Sequence, residues 1–283
     1  MPFILSHGIE FHVVDRGSGA PLLLLHGFTG NSASWSRLSD ELASRHRVIA
    51  IDLIGSGATS APRDPSRYEF EQVVDDLAEI AYQLDLGRPT WLGYSMGGRL
   101  ALGLALRHPD QVSALILESA TPGIQNEEER LQRRAADETL ARRIEEIGVQ
   151  EFANEWERFP MWASQSRLPP GVLQEQREVR LHNNDVGLAN SLRGMGQGAQ
   201  PSYWDRLAEI RAPVLLIAGA LDRKFSGIAG QMGVRIPDAT LVVVPEAGHA
   251  VHLEQPQLFS GLVANFLVAQ NRANINYGQE SYQ

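Results

Sequence analysis

Short apolar runs recur along the chain at residues 9–14, 21–25, 48–52, 90–93, 112–117, 214–218 and 241–244, each bounded by Gly, Pro, Asn or Asp. From the second onward several are apolar on both faces, the pattern of parallel strands covered by helices. Between them lie stretches with helical spacing, at 35–43, 70–84, 97–107 and 256–269. Strands that alternate with helices indicate an α/β fold, a doubly wound and mainly parallel sheet. One interval breaks the rhythm: from 119 to 211 there is no convincing strand, only segments rich in Arg, Glu, Gln and Trp. It is too long for an ordinary loop. It reads as a helical cap at 121–210, inserted into a core made of 1–120 and 211–270. The alternative is a set of crossover helices with no part in any site. Residues 271–283 are polar without periodicity and read as a flexible tail.

Composition narrows the class. The chain of 283 residues is 43% hydrophobic and 21% charged, as in ordinary globular proteins. Its net charge of -9 argues against a nucleic-acid binder. An anionic ligand would therefore need locally clustered arginines. There is no cysteine, which excludes disulfides, thiolate metal sites and cysteine nucleophiles and fits a reducing compartment such as the cytoplasm. The eight histidines are scattered and none forms an H-E-x-x-H spacing, so no metal or other cofactor is expected. The glycine-rich stretch from Asp52 to Thr59 has the spacing of neither a P-loop nor a dinucleotide fingerprint and reads as structural. The opening MPFILSHGIEF has no basic leader, and no apolar run approaches about 18 residues, so neither a signal peptide nor membrane insertion is expected.

Residues 90–98, TWLGYSMGG, fit strand, G-x-S-x-G, helix. This motif holds a serine, here Ser95, in a strained turn at the carboxyl end of a strand. Glycines are needed at 93 and 97, where side chains would collide with backbone. A serine hydroxyl is weakly reactive until a neighbour accepts its proton, and the motif requires an acid and then a histidine later in the chain. Asp222 in GALD and His249 in PEAGHAVHLEQP supply them in order, each just past a strand end. His252, Asp205 and Glu118 are weaker rivals. An oxyanion hole needs two converging N–H groups. Met96, after the serine, and Phe28, in the turn LLHGFTG, are the expected donors.

Together, HGFTG, DxxGxG, GYSMGG, GALD and AGH resemble the α/β-hydrolase superfamily over roughly residues 10–268. Further segments narrow this: GYSMGGR, ESATPGIQNEEERLQRRAAD, FANEWERFPMW, REVRLHNNDVGLANSLRGMGQGAQPSYW and GALDRKF. They closely resemble the 2-succinyl-6-hydroxy-2,4-cyclohexadiene-1-carboxylate (SHCHC) synthases of menaquinone and phylloquinone biosynthesis. Ser56 and Thr59 in the DxxGxG loop, and Gln197 in GMGQG, depart from the commoner pattern. The resemblance implies a lyase on an α/β-hydrolase fold that eliminates pyruvate from a small polycarboxylate. Ser95, activated by His249 and Asp222, would be the base, with no acyl-enzyme. It also implies Arg99, Arg133 and Arg180 as carboxylate binders and Tyr94 and Trp156 as pocket contacts. The Arg-Arg pair leaves Arg133 and Arg134 both open. A serine hydrolase of esters, or of C–C bonds in ring-cleavage products, shares the whole triad and remains the alternative. A monomer or weak homo-oligomer is expected.

Overall fold

The computed structural model describes the backbone of residues 3–280 and the side chains of residues 3–270. Among the described residues eight strands form one sheet: β1 (Phe3–Ser6), β2 (Ile9–Arg16), β3 (Ala20–Leu25), β4 (His46–Ile51), β5 (Thr90–Tyr94), β6 (Ala114–Glu118), β7 (Val214–Gly219) and β8 (Ala239–Val244). Their order is β1-β2-β4-β3-β5-β6-β7-β8. The pairs β1–β2 and β2–β4 are antiparallel and all later pairs parallel. Helices α1 (Ser36–Leu42), α2 (Phe70–Gln83) and α3 (Met96–Arg107) connect the first half. Helices α4 (Glu127–Trp156), α5 (Pro170–Leu181) and α6 (Asp185–Met195) occupy the long interval, and α7 (Arg223–Arg235), α8 (Val251–Glu254) and α9 (Pro256–Glu280) close the chain.

The fully buried runs Leu22–Leu25, Val48–Ile51 and Ala114–Leu117 are apolar on both faces because helices cover both. Three features depart from the sequence reading. The strand β1 was not expected, because FILS is short. It is held by a two-residue turn with positive φ at His7 (42°) and Gly8 (84°), the geometry that suits the twist of a hairpin. Helix α7 was also not expected, since Gly227, Gly230 and Gly233 weaken its propensity. Helix α9 runs on to Glu280, over ten residues read as tail. No proline interrupts it there, and extending an existing helix costs far less than starting one. Residues 281–283 of that tail lie outside the described residues. In addition, β8 is an edge strand, and its apolar Leu241 and Val243 are exposed.

The chain runs outward from β3 to β4, then returns to place β5 on the other side of β3. Ligands of open α/β sheets bind where strand order reverses in this way. The loops after β3 and β5 therefore flank the crevice that holds the site.

The interval between β6 and β7 is helical. Helix α4 kinks at Gly148, whose φ of 76° and ψ of 166° are not helical. Ala141, Ile144, Phe152, Trp156, Leu188, Ala189 and Leu192 form a separate small core, against which Phe28 of the sheet domain packs. The glycine-rich loop after β4 is the seat of this layer: a Cβ on Gly187 of α6 would overlap the carbonyl of Gly55. The Asp52 carboxylate fixes the loop, accepting from the N–H groups of Ser32 (2.5 Å) and Ala58 (2.9 Å).

Gly187→Ala is expected to destabilise the protein by about 1–3 kcal/mol through this overlap. Gly171→Ala, where a Cβ meets nothing within 4 Å, is expected to leave stability equal or raise it by up to about 1 kcal/mol. Denaturant unfolding of the two variants checks the contrast.

Candidate active site

The site starts with three glycines. A Cβ on Gly93 would overlap the Gly97 carbonyl, one on Gly97 would overlap the Leu25 carbonyl, and one on Gly98 would crowd Ala120 and the Gly93 carbonyl. Without those atoms α3 closes onto the ends of β3 and β5. The turn between β5 and α3 is then so tight that Ser95 takes φ 49°, ψ -106°. A non-glycine residue there costs on the order of 1–3 kcal/mol. The Ser95 N–H donates to the Glu118 carbonyl on β6 at 2.8 Å, which pins the turn.

Ser95 Oγ lies 3.0 Å from His249 Nε2, and His249 Nδ1 lies 2.6 Å from Asp222 Oδ2. With Nδ1–H donating to the carboxylate, Nε2 is the free base that accepts from the serine hydroxyl. Burial opposes ionisation of Asp222. The hydrogen bond and charge of His249, the Phe225 N–H and the Lys224 ammonium outweigh it and hold the carboxyl below its ordinary value. It is therefore an anion at neutral pH, able to stabilise an imidazolium.

The rivals Glu118 and His252 turn out to be partners. His252 Nδ1 lies 2.8 and 2.9 Å from the two Glu118 oxygens, and the His252 N–H donates to the same carboxylate at 3.0 Å. Both groups are buried, and the His252 ring packs edge-on against Tyr94 at 4.7 Å. This second acid–histidine pair braces the elbow from behind. Burial, then the Glu118 charge, raise the Tyr94 hydroxyl well above its ordinary range, so it stays a neutral phenol. Asp205 lies away from the cavity, where it accepts from Gln125.

Phe28 and Met96 both border the cavity beside Ser95. Among the described residues the Phe28 N–H donates to no protein group. The Met96 N–H belongs to the first turn of α3, whose donors have no partner within the helix. His26 shapes the Phe28 loop: its Nδ1–H donates to the Gly27 carbonyl at 2.8 Å, and its Nε2 accepts from the Leu53 N–H at 3.0 Å. Burial lowers the pKa of this ring, which keeps it in that neutral form.

The cavity has a volume of about 990 Å³ and opens between the sheet and the cap. Arg99 forms part of its floor. The guanidinium is 6% exposed and donates through Nη1 to the Met195 carbonyl (2.6 Å) and Gln200 Oε1 (3.2 Å). Both acceptors are neutral. Burial, then the neighbouring Arg133 charge, lower its pKa, to about 9, so it is still a cation at neutral pH. Arg133 lines the same cavity, held by Asp137 at 2.8 Å and Gln197 at 3.3 Å. Arg134 borders a different, outer cavity with Glu69 and Arg193, so of the Arg-Arg pair it is Arg133 that lines the cavity beside Ser95. Trp156 and Trp162 close the cap side, their indole N–H groups without an acceptor among the described residues.

Arg180 is placed differently from its expected role. It borders a separate void of about 30 Å³ behind the wall formed by Phe28, Tyr94 and Trp162, and it pairs with Glu157 at 3.1 Å. The reason lies in how α5 docks on the Phe28 loop. Asn31 donates to the Val179 carbonyl and Asn183 to the Thr29 carbonyl, which turns Arg180 toward Glu157. The Glu118–His252 pair, Trp162, Arg143 and Lys224 also shape the site without having been singled out for it. GALDRKF carried Lys224 in plain view, but no spacing rule marks a single lysine.

The α/β hydrolase fold model matches residues 20–256. A Bacillus subtilis (strain 168) protein designated as an SHCHC synthase is 46% identical over 94% of this chain and 97% of its own. The chain belongs to the α/β-hydrolase family, in the branch that holds this relative. The SHCHC synthase of Salmonella agona (strain SL483) is 30% identical over 84% of this chain and 90% of its own. The solved structure of MenH from S. aureus superposes with a TM-score of 0.88 at 33% identity, covering 92% of this chain and 98% of that one. The eight-stranded, mostly parallel sheet described above is the α/β-hydrolase sheet of that structure.

Two variants separate the two acid–histidine pairs. Asp222→Asn is expected to keep stability within about 1 kcal/mol at pH 7 and to lower kcat at least about 10³-fold by misorienting the imidazole. Glu118→Ala is expected to cost about 3–5 kcal/mol by leaving a buried partner uncompensated. Because the Asp222 pKa is depressed, its contribution to stability is present above the ordinary aspartate value near 3.9. That contribution is lost as pH falls through the lower folded value. Asp222→Asn should therefore flatten that part of the acid-unfolding curve, which urea midpoints between pH 2 and 5 would show.

Proposed function

We infer that this chain is a carbon–oxygen lyase that eliminates pyruvate from 2-succinyl-5-enolpyruvyl-6-hydroxy-3-cyclohexene-1-carboxylate to give SHCHC, in menaquinone or phylloquinone biosynthesis. The observation that carries the reading beyond family is Arg99: a buried cation one helical turn from Ser95, in contact only with neutral acceptors. The Asp137 carboxylate acts on it only through space, more weakly than burial and the Arg133 charge oppose it. A buried charge compensated so poorly is costly, and a substrate carboxylate relieves that cost. A neutral ester does not.

The chemistry follows from the geometry. Ser95 Oγ takes the proton from the ring carbon that bears the succinyl group while passing its own proton to His249 Nε2. The charge that develops on the succinyl carbonyl oxygen lies at the Phe28 and Met96 N–H groups, aided by the positive end of α3. Electrons then shift through the ring double bond, and the bond to the enolpyruvyl oxygen breaks. The departing enolate takes the proton held by the His249 imidazolium and becomes pyruvate, Ser95 keeps the ring proton as its hydroxyl, and the ring is left as a cyclohexadiene. No acyl-enzyme is formed, so no water need attack. The trapped aromatic wall of Phe28, Trp156, Phe159 and Trp162 suits a site that excludes water. The expected partner is this small polycarboxylate, and the expected place of action is the cytoplasm. No helix among the described residues is long and apolar enough to cross a membrane.

Purified protein offered the enolpyruvyl substrate and, in parallel, nitrophenyl esters is expected to release pyruvate far faster than nitrophenol. Rapid ester turnover with no pyruvate would favour the serine-hydrolase reading instead. Ser95→Ala is expected to abolish pyruvate release. Arg99→Ala is expected to weaken substrate binding about 10- to 100-fold, the loss of a charge-assisted contact. Steady-state kinetics with coupled pyruvate detection reads both.

A further inference from the structure

Four cationic side chains line the large cavity: Arg99, Arg133, Arg143 and Lys224. Two of them already have carboxylate partners. Arg133 is held by Asp137 at 2.8 Å, and Arg143 by Glu155 at 2.6 Å and Glu146 at 3.3 Å. Arg99 has neutral acceptors only. Lys224 makes no ion pair among the described residues. Its Nζ lies 5.6 Å from the Phe225 ring centroid, and that ring packs edge-on against His249 at 4.5 Å. The nearby Asp222 carboxylate is committed to the His249 ring and the Phe225 N–H. The ammonium therefore sits at the cavity, one aromatic ring away from the base, acting on Asp222 through its field but held in no ion pair among the described residues. Its neighbour Arg223 carries the same charge in the same turn of α7 but does not line the large cavity; it borders an adjoining outer one with Ser164 and Arg167, on the other side of Met161, Asp222 and His249.

We propose that Lys224 binds a second carboxylate of the substrate, so that two unpaired cations, Arg99 from α3 and Lys224 from α7, hold a polycarboxylate with the Ser95–His249 pair between their elements. This rests on the lyase reading. The substrate carries three carboxylates, one each on the ring, the succinyl chain and the enolpyruvyl group. Arg180, the other candidate cation, is turned away behind the Phe28–Tyr94–Trp162 wall, where it shares the Glu157 carboxylate with Arg177. Lys224 is exposed and flexible enough to follow a carboxylate at the cavity mouth. An ammonium suits a carboxylate that arrives from solvent, while the buried planar guanidinium of Arg99 suits one that is held rigidly.

The test compares Lys224→Ala, Lys224→Arg and Arg223→Ala by two readouts. The first is pyruvate release from the enolpyruvyl substrate. The second is calorimetric binding of propane-1,2,3-tricarboxylate, a tricarboxylate that cannot react. Lys224→Ala is expected to raise KM and the probe's Kd about 10- to 100-fold, with a much smaller fall in kcat. Lys224→Arg is expected to restore most of both, and Arg223→Ala to change either less than about twofold. Equal weakening by Lys224→Ala and Arg223→Ala would mean a general field rather than a contact, and would overturn the proposal. So would wild-type KM and Kd in Lys224→Ala. If the wild-type protein released no pyruvate while Lys224→Ala alone lost the probe, the lyase reading would fall and the carboxylate site would stand. Melting temperatures without ligand confirm that all variants are folded.

Discussion

Helix α3 rests directly on the backbone at the ends of β3 and β5, and that contact sets the position of Ser95, to which the other groups of the triad come from the loops after β7 and β8. Gly93 and Gly97 make it possible, since a Cβ on either would collide with a carbonyl. The strain at Ser95 is the consequence, on the order of 1–3 kcal/mol. It is outweighed by the burial of α3, whose residues from Met96 to Leu106 are all buried. Glu118 contributes twice: its backbone carbonyl pins the Ser95 N–H, and its side chain clamps His252, which packs against Tyr94. One acid–histidine pair thus faces the cavity, and the other holds the elbow that presents the serine to it. Removing the first costs chemistry; removing the second costs the frame.

The cap places a cation where the frame alone would not keep one. Arg99 leaves α3 toward the cap, which offers it Met195 and Gln200, neutral acceptors that satisfy hydrogen bonds without cancelling charge. Asp137, the carboxylate that could neutralise it, is engaged by Arg133 and by the Gly198 N–H. A guanidinium kept dry in this way destabilises the free protein and favours any state in which an anion sits beside it. The same arrangement explains why a triad shared with ester hydrolases need not perform their reaction. On the function proposed above, the triad fixes where a proton is moved, and the cations fix which molecule can be held there.

Much of this was legible in the sequence, for identifiable reasons. The elbow, the acid and the histidine stand in short motifs whose residues are required by local backbone geometry, so Ser95, Asp222 and His249 could be named without any contact being seen. The strands were found where burial on both faces makes them apolar. Elements whose identity depends on context were not. The strand β1 depends on a two-residue turn, and α7 forms against the sheet despite three glycines. The strand β8 was legible as a strand at 241–244, but its place at the sheet edge, with Leu241 and Val243 exposed, was not. Long side chains were the least legible part. Arg133, Arg134 and Arg180 are chemically equal in a linear reading. Only the packing of α4 and α5 decides that the first meets the cavity, the second an outer face, and the third Glu157. The glycine-rich loop after β4 was legible as structural but not as the seat of Gly187.

The net charge of -9 acquires a meaning once the charges are located. Helix α4 begins with Glu127, Glu128 and Glu129, while Arg133 and Arg143 on its inner edge line the cavity. A polyanion approaching such a molecule is repelled at long range, and within cells that repulsion is screened beyond about 8 Å. Inside the cavity the dielectric is lower and the unpaired cations dominate. On the binding proposed for Arg99 and Lys224, a ligand with one carboxylate pays the cost of leaving water and gains one of the two contacts. A ligand with several carboxylates gains both. In that proposal the sorting of charge selects for the number and spacing of carboxylates rather than for negative charge as such, and it does so before Ser95 meets a proton.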